Sequence, residues 1–111
     1  MIVGCSYESH SPQALFEYEI KSNEDSNARL LLYKISIDNN LLFTDSSHTY
    51  PSGTSTLIAV AERPDGLKLI LGGSAENKIH LAIHCHNECK EWKNISKLVH
   101  ERFNKKWKNV Q

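Results

Sequence analysis

The residues of this chain best suited to chemistry are histidines and cysteines that cluster before its C-terminal segment. His84, His86 and Cys89 lie close together in sequence, and imidazole nitrogens and thiolates are ligands that zinc prefers. A structural zinc site needs four ligands, usually two close pairs from separate segments. Only Cys5 and His10 could supply the second pair. We therefore expect neither a metal site nor a bound cofactor. If zinc were bound, His84, His86 and Cys89 would be the candidate ligands.

A strand over residues 78–85 explains the same stretch without a metal. Its histidines would lie on the face opposite the apolar one, and Cys85 and Cys89 would act as small core hydrophobes. A pH-sensitive or partner-binding histidine patch is the remaining alternative.

Signatures of catalysis are weak. The three cysteines have histidines nearby in sequence, but no nucleophile elbow or cysteine-enzyme signature accompanies them. The Gly72-Gly73-Ser74 run lacks the lysine and helix start of a phosphate loop. Glu17 and Glu19 fall on a predicted solvent face. The sequence predicts that the protein is not an enzyme.

Charge is balanced over the whole chain but unevenly distributed along it. There are 13 basic and 13 acidic residues, so no global attraction to nucleic acid or membrane is expected. From Lys90 onward the chain carries seven basic residues against Glu91 and Glu101. The end of the chain is therefore a basic segment on an acidic body, which suits either a solvated helix face or a partner-binding surface.

Most of the chain has the alternation and turn chemistry of antiparallel β structure. Thr56–Glu62 is a strand candidate, although residues 54–56 could instead cap a short helix that runs through Ala61. The following turn sequence favours the strand. The longest loop is predicted over residues 45–54, and a further turn over 72–77. The predicted strands are Ala14–Lys21 with Phe16, Tyr18 and Ile20 inward, Ala28–Asp38, Leu41–Thr44, Thr56–Glu62, Leu67–Leu71 and Lys78–Cys85.

After residue 87 the apolar period changes to that of a helix, over residues 88–109. The predicted stripe comprises Cys89, Trp92, Ile95, Val99, Phe103 and Trp107, with Asn87 as the N-cap. The expected fold is a single α+β, mainly β domain over residues 1–111. In it, about six or seven antiparallel strands within residues 1–87 form a curled sheet or barrel that the long C-terminal helix closes.

This order of elements resembles the pleckstrin-homology superfold, and Trp92 matches the tryptophan common in the closing helix of such domains. Lipid-binding members carry several Lys and Arg around the first strand–turn–strand. In the corresponding segment, residues 21–29, two acids offset two bases. The resemblance therefore implies a PH-like binding domain without the lipid motif.

Two segments are also similar to the N-terminal PH-like domain of a meiotic DNA-break accessory protein family. They are Tyr18–Leu32, with its polar turn and leucine-rich part, and Ile83–Val99. This similarity implies a domain that docks peptide segments of its partners on its sheet.

The last turns of the predicted helix combine aromatic and basic residues, which is typical of interface hot spots. Trp107 would either project beyond the core or pack against the body. Nucleic acid is an unlikely partner, because Trp92, Phe103 and Trp107 fall on the buried stripe and could not stack on bases. A membrane surface is possible but not favoured. The partner-binding candidates are Lys97, Phe103, Lys105, Lys106, Trp107 and Val110.

We therefore expect a non-catalytic protein–protein interaction or scaffold module of a larger complex. It would bind a partner segment, or itself, through a sheet edge or the C-terminal helix. The alternatives are a membrane- or phosphate-surface adaptor and an assembly chaperone or subunit completed by its partner. Three cysteines and an N-terminus without a basic, apolar leader favour an intracellular location, cytoplasmic or nuclear.

Overall fold

The computed structural model describes residues 12–21, 24–49, 55–74, 77–86 and 89–110. In these residues, five strands and two helices follow one another along the chain. They are β1 (Ala14–Glu19), α1 (Asp25–Asp38), β2 (Leu42–Thr49), β3 (Ser55–Glu62), β4 (Leu67–Ser74), β5 (Lys78–Cys85) and α2 (Trp92–Asn104).

The strands form one antiparallel sheet in the order β1-β5-β4-β3-β2. The strands β1 and β2 lie at opposite ends of that order, so the sheet is open. The α+β class, the antiparallel sheet and a helix after the sheet are confirmed. The expected closed barrel of six or seven strands is not found in the part of the chain that the structure describes.

The segment Ala28–Asp38, predicted as a central strand, is instead part of helix α1. Its buried side chains recur at helical spacing, which places them on one face of the helix. The helix also has apolar residues on its opposite side. In the sequence, the buried and the exposed apolar residues together form a nearly continuous apolar run that resembles a strand. The predicted Asp38-Asn39-Asn40 turn is the end of this helix. The buried apolar residues are Ala28, Leu31, Leu32 and Ile35.

The core lies between the two helices and one face of the sheet. Cross-strand registers align Phe16 with Leu81 and Leu81 with Leu71 on this face. Each such pair brings apolar side chains into contact across neighbouring strands. The prediction that Ile79, Leu81 and Ile83 share a buried face is confirmed, because all three are fully buried.

The loops are shorter than predicted in two places. The strand β2 continues to Thr49, into the region expected to be the longest loop, and β4 continues to Ser74. The helical alternative for β3 is wrong, since Ser55–Glu62 pairs with strands on both sides. The predicted Arg63–Gly66 turn is present, with Gly66 at a φ of 100° that favours glycine.

The C-terminal helix is shorter than the predicted residues 88–109. It follows Glu91, which has a left-handed φ of 60°, and it ends at Asn104. The predicted N-cap Asn87 lies outside the described residues. Beyond the helix the chain turns back, and its segment Lys108–Val110 pairs with β1. The Glu19 N–H donates to the Lys108 carbonyl at 2.8 Å, and the Val110 N–H donates to the Glu17 carbonyl at 3.0 Å.

This layout departs from the one that suggested the PH-like resemblance. The helix α1 interrupts the expected run of strands, and Leu30–Leu32 lie on that helix rather than in leucine-rich β structure. The architecture does not by itself identify the superfold. Among the described helices, none has the length and apolar character needed to cross a bilayer.

Candidate functional site

The aromatic residues expected at the C-terminal interface are buried. Phe103 is fully buried and Trp107 is 6% exposed. The Phe103 ring lies 5.6 Å from the ring centroids of both Tyr18 and Trp107. The Trp107 indole N–H donates to Glu24 Oε1 at 3.3 Å. Of the two alternatives for Trp107, packing against the body is therefore correct, and projection beyond the core is wrong because the helix ends before it.

The other predicted interface residues differ in accessibility. Lys97, Lys105 and Lys106 are exposed, and Val110 is half-buried with its backbone bonded to β1. The lysines therefore remain accessible to a partner, whereas the aromatic half of the predicted hot spot does not.

The weak zinc candidates do not form a ligand set. Cys89 is joined to Cys85 in a disulfide, so its sulfur is not available as a thiolate. His84 is half-buried and His86 is exposed. The residues that the structure describes include no group of three or more metal-ligating side chains, while Cys5 and His10 lie outside them.

The disulfide also corrects the view of Cys85 and Cys89 as free core thiols. It links the last residue of β5 to the segment that leads into α2. The sequence argument for a reducing compartment assumed free thiols and so loses this support. The compartment stays a prediction.

A hydrogen-bonded ion pair of Arg63 and Asp65 lies beside the disulfide. The Arg63 guanidinium donates to both oxygens of Asp65 and, at 2.7 Å, to the Lys90 carbonyl. The bond from Arg63 holds the pKa of Asp65 below its usual value, and the same bond raises the pKa of Arg63. Asp65 also accepts the Leu67 N–H. These bonds fix the β3–β4 turn against the start of α2 and are structural.

A tyrosine–histidine pair lies in the core between β1 and α2. The Tyr18 hydroxyl is 2.7 Å from Nδ1 of His100, whose ring stacks on Phe16 with centroids 4.4 Å apart. Burial raises the pKa of Tyr18 well above its usual value, so the hydroxyl stays protonated. The tautomer of His100 decides which of the two groups donates the hydrogen bond. Tyr18 is fully buried and its ring also packs on Phe103, so the pair is part of the core.

The surface that sequence reasoning missed is an apolar stripe on α1. Leu30, Tyr33 and Ile37 are 49%, 44% and 59% exposed, although all three are large apolar or aromatic residues. They recur at intervals of three and four, so they share the outer face of the helix. The signal was present in the sequence, but it is visible only once the segment is recognised as a helix.

The stripe continues onto β2, which is the end strand of the sheet. The Tyr33 ring meets the Phe43 ring edge-on at 5.3 Å, and both line a shallow depression of about 380 Å³ with Leu30 and Arg29. Arg29 also forms a salt bridge with Asp45 at 3.4 Å, which ties α1 to β2. On the other face of the same strand, Leu42 is 67% exposed. We call Leu30, Tyr33, Ile37, Leu42 and Phe43 the α1–β2 surface.

A basic groove runs between α1 and α2 next to this surface. It has a volume of about 260 Å³. Two leucines and Asn27 line it together with four cationic residues, and the described residues of the lining include no carboxylate. The cations are Lys34, Arg102, Lys105 and Lys106.

A larger cleft of about 560 Å³ opens beside Trp107. Its lining mixes lysines with Glu19 and Glu24. Glu24 is already engaged there, because it accepts the Trp107 indole N–H and the Lys21 backbone N–H. The cleft therefore carries charges of both signs, and its lining favours neither an anionic nor a cationic ligand.

Comparison with known proteins finds no protein-family model and no curated protein sequence that matches this chain.

Proposed function

We propose that this chain is a non-catalytic protein–protein interaction module that binds a partner segment at the outer edge of β2. The observation that carries the proposal is the α1–β2 surface, where large apolar side chains remain exposed beside an end strand. Exposed apolar patches of this kind mark interaction sites in proteins. The sequence suggested sheet-edge binding as one mode, and we propose the edge of β2 because the α1–β2 surface adjoins it.

The two ends of the sheet support this assignment because they differ. At Glu17–Glu19, the outer edge of β1 is paired with the chain's own segment Lys108–Val110. In the described residues, β2 has a strand partner only on its β3 side. An unpaired edge presents backbone N–H and C=O groups that a further strand can satisfy.

The side chains around β2 restrict the sequence of the partner. Successive residues of an added strand point to opposite faces of the sheet. One set would lie beside Phe43 and Tyr33, and the other set beside Leu42. We therefore expect a partner segment that is extended and apolar at neighbouring positions, rather than one that alternates apolar and polar residues.

The expected partner is another protein rather than a second copy of this chain. A second copy would bring the same four groove cations to the flank of the same interface. Like charges placed near each other across an interface disfavour association. Self-association, which the sequence left open, is therefore an outcome that the test must detect.

Site-specific photocrosslinking in the native cell tests the proposal. A benzoylphenylalanine at Ile37 should give a discrete heteromeric adduct, identified by mass spectrometry. The same probe at Leu15, which is 43% exposed on the opposite face of the sheet, should not. Leu42→Lys should remove the Ile37 adduct because a lysine on an edge strand opposes pairing, whereas Leu15→Lys should leave it intact.

Three results would overturn the proposal. They are equal adducts from both positions, no adduct from Ile37, and an Ile37 adduct that contains only a second copy of this chain. The last result would favour a homodimer, which sedimentation of the purified chain would register independently. Circular dichroism of each variant establishes that the fold is retained.

A further inference from the structure

We propose that the groove between α1 and α2 binds acidic side chains of the same partner, so that the partner segment is apolar with an acidic flank. This inference rests on the proposed function and adds the chemistry of the partner. Among its described residues, the groove lining carries Lys34, Arg102, Lys105 and Lys106 without a carboxylate, so it complements negative charge.

Within the part of the chain that the structure describes, no salt bridge pairs a groove cation with a carboxylate. The salt bridges among the described residues join Arg29 to Asp45, Arg63 to Asp65, and Lys68 to Glu62. None of them involves a groove cation. Arg102 is half-buried between the helices, where its fork of N–H donors suits a carboxylate.

The groove and the apolar stripe are continuous. Leu30 and Asn27 line both the depression beside Phe43 and the basic groove. A segment that covers Leu30 therefore reaches apolar side chains in one direction and cations in the other. One partner can satisfy both surfaces, and its acidic residues should lie next to its apolar ones in space.

Two other polyanions fit this surface less well. Single-stranded nucleic acid gains much of its affinity by stacking on exposed aromatic rings. Among the described residues that line the groove none is aromatic, and Phe103 and Trp107 of the basic segment are buried. An anionic membrane is a broad surface, whereas these cations converge on a groove between two helices with leucines in its lining. A protein segment supplies carboxylates and apolar side chains together.

Fluorescence anisotropy with a designed peptide tests the inference on the full chain. The probe is a labelled peptide of leucine and glutamate, and its matched control replaces every glutamate with glutamine. We expect binding of the glutamate peptide that weakens with salt, and no comparable binding of the glutamine peptide. The paired substitution Lys34→Glu and Arg102→Glu should weaken binding about tenfold or more.

The matched control is Lys93→Glu with Lys97→Glu. It reverses the same charge at two exposed positions of α2 that lie outside the groove lining. An equal loss in this control would overturn the inference, because it would indicate attraction by net charge alone. Equal binding of the two peptides, or no binding of either, would overturn it as well.

Parallel titrations with phosphatidylserine vesicles and single-stranded DNA distinguish the other polyanions. If either binds through Lys34 and Arg102 while the glutamate peptide does not, the inference is wrong. The two proposals can fail separately. An Ile37 adduct that persists in the Lys34→Glu, Arg102→Glu chain would overturn the groove inference and leave the proposed function standing. A missing Ile37 adduct would overturn the proposed function, whatever the peptide does.

Discussion

The Tyr18 hydroxyl and Nδ1 of His100 share a hydrogen bond of 2.7 Å, which connects the first strand to the last helix across the core. Tyr18 is fully buried, and the imidazole to which it is bonded also stacks on Phe16. The pair therefore combines a polar bond with aromatic packing at one position. The sequence analysis assigned no role to His100.

His100→Ala should lower the free energy of unfolding by about 2 kcal/mol, because it leaves a buried hydroxyl without its hydrogen-bond partner and removes a stacked ring. In a Tyr18→Phe background, the destabilisation caused by His100→Ala should be smaller by about 1 kcal/mol, because no hydroxyl is left unpaired. Urea unfolding of the four chains in a double-mutant cycle measures both values. His80→Ala, on the opposite face of the sheet, is the control. Additive costs would show that the two side chains do not interact.

Tyr18 also makes stability depend on alkaline pH. Its folded-state pKa is raised from the ordinary value of 10.0 by burial, so above about pH 10 the unfolded chain loses a proton that the folded chain keeps. The stability contribution is fully present below the unfolded pKa and declines as the pH rises above it. Tyr18→Phe should flatten this decline in urea unfolding, whereas Tyr33→Phe, at an exposed position, should not. Equal slopes for the two variants would contradict this origin.

The orientation of α1 can be tested by alanine substitutions at buried and exposed positions of the helix. Leu32 is fully buried and Leu30 is 49% exposed. Leu32→Ala should cost about 3 kcal/mol through lost burial and a cavity, and Leu30→Ala less than about 1 kcal/mol. A strand would place Leu30 and Leu32 on one face and Leu31 and Ile35 on the other. In the helix, Leu31→Ala and Ile35→Ala should both lower the free energy of unfolding, and chemical denaturation measures this loss.

Trp107→Ala should act mainly on stability. The indole packs on Phe103 and donates to Glu24, so its removal should cost about 3 kcal/mol. Glu24→Gln keeps an acceptor and should cost less than about 1 kcal/mol. Thermal unfolding followed by near-ultraviolet circular dichroism measures both. A folded Trp107→Ala chain of unchanged stability would contradict the buried position.

Some elements could be predicted correctly because their residue patterns are compatible with only one local structure. The alternation in β5 left only one arrangement that buries Ile79, Leu81 and Ile83 together. The predicted inward face of β1 is likewise observed at Tyr18 and Ile20, which are buried. The Arg63–Gly66 turn follows from its own turn chemistry. In these segments local pattern and tertiary packing agree.

The strand assigned to Ala28–Asp38 was wrong because α1 is apolar on two sides. One side packs on the sheet, and the other is the exposed stripe of Leu30, Tyr33 and Ile37. A helix with a single apolar face would have shown its period clearly. The residues that obscured the helix are therefore the ones that form most of the candidate binding surface.

The end of α2 could not be predicted from local preference. Lys105 and Lys106 are good helix formers, yet the chain leaves the helix at Asn104. What competes with the helix is the pairing of Lys108–Val110 with β1, a contact between residues far apart in sequence. The burial of Trp107 follows from the same reversal, which explains why its exposure was misjudged.

The pairing of Lys108–Val110 with β1 also governs the kind of assembly this sheet can join. On the proposed function, the cover over Glu17–Glu19 opposes a second addition at β1, so that pairing at β2 gives a complex of defined size. In a chain cut after Asn104 this part of β1 would lose its cover, and head-to-tail addition could then continue without closure into a fibre. The segment Lys108–Val110 would then act as a terminator of polymerisation.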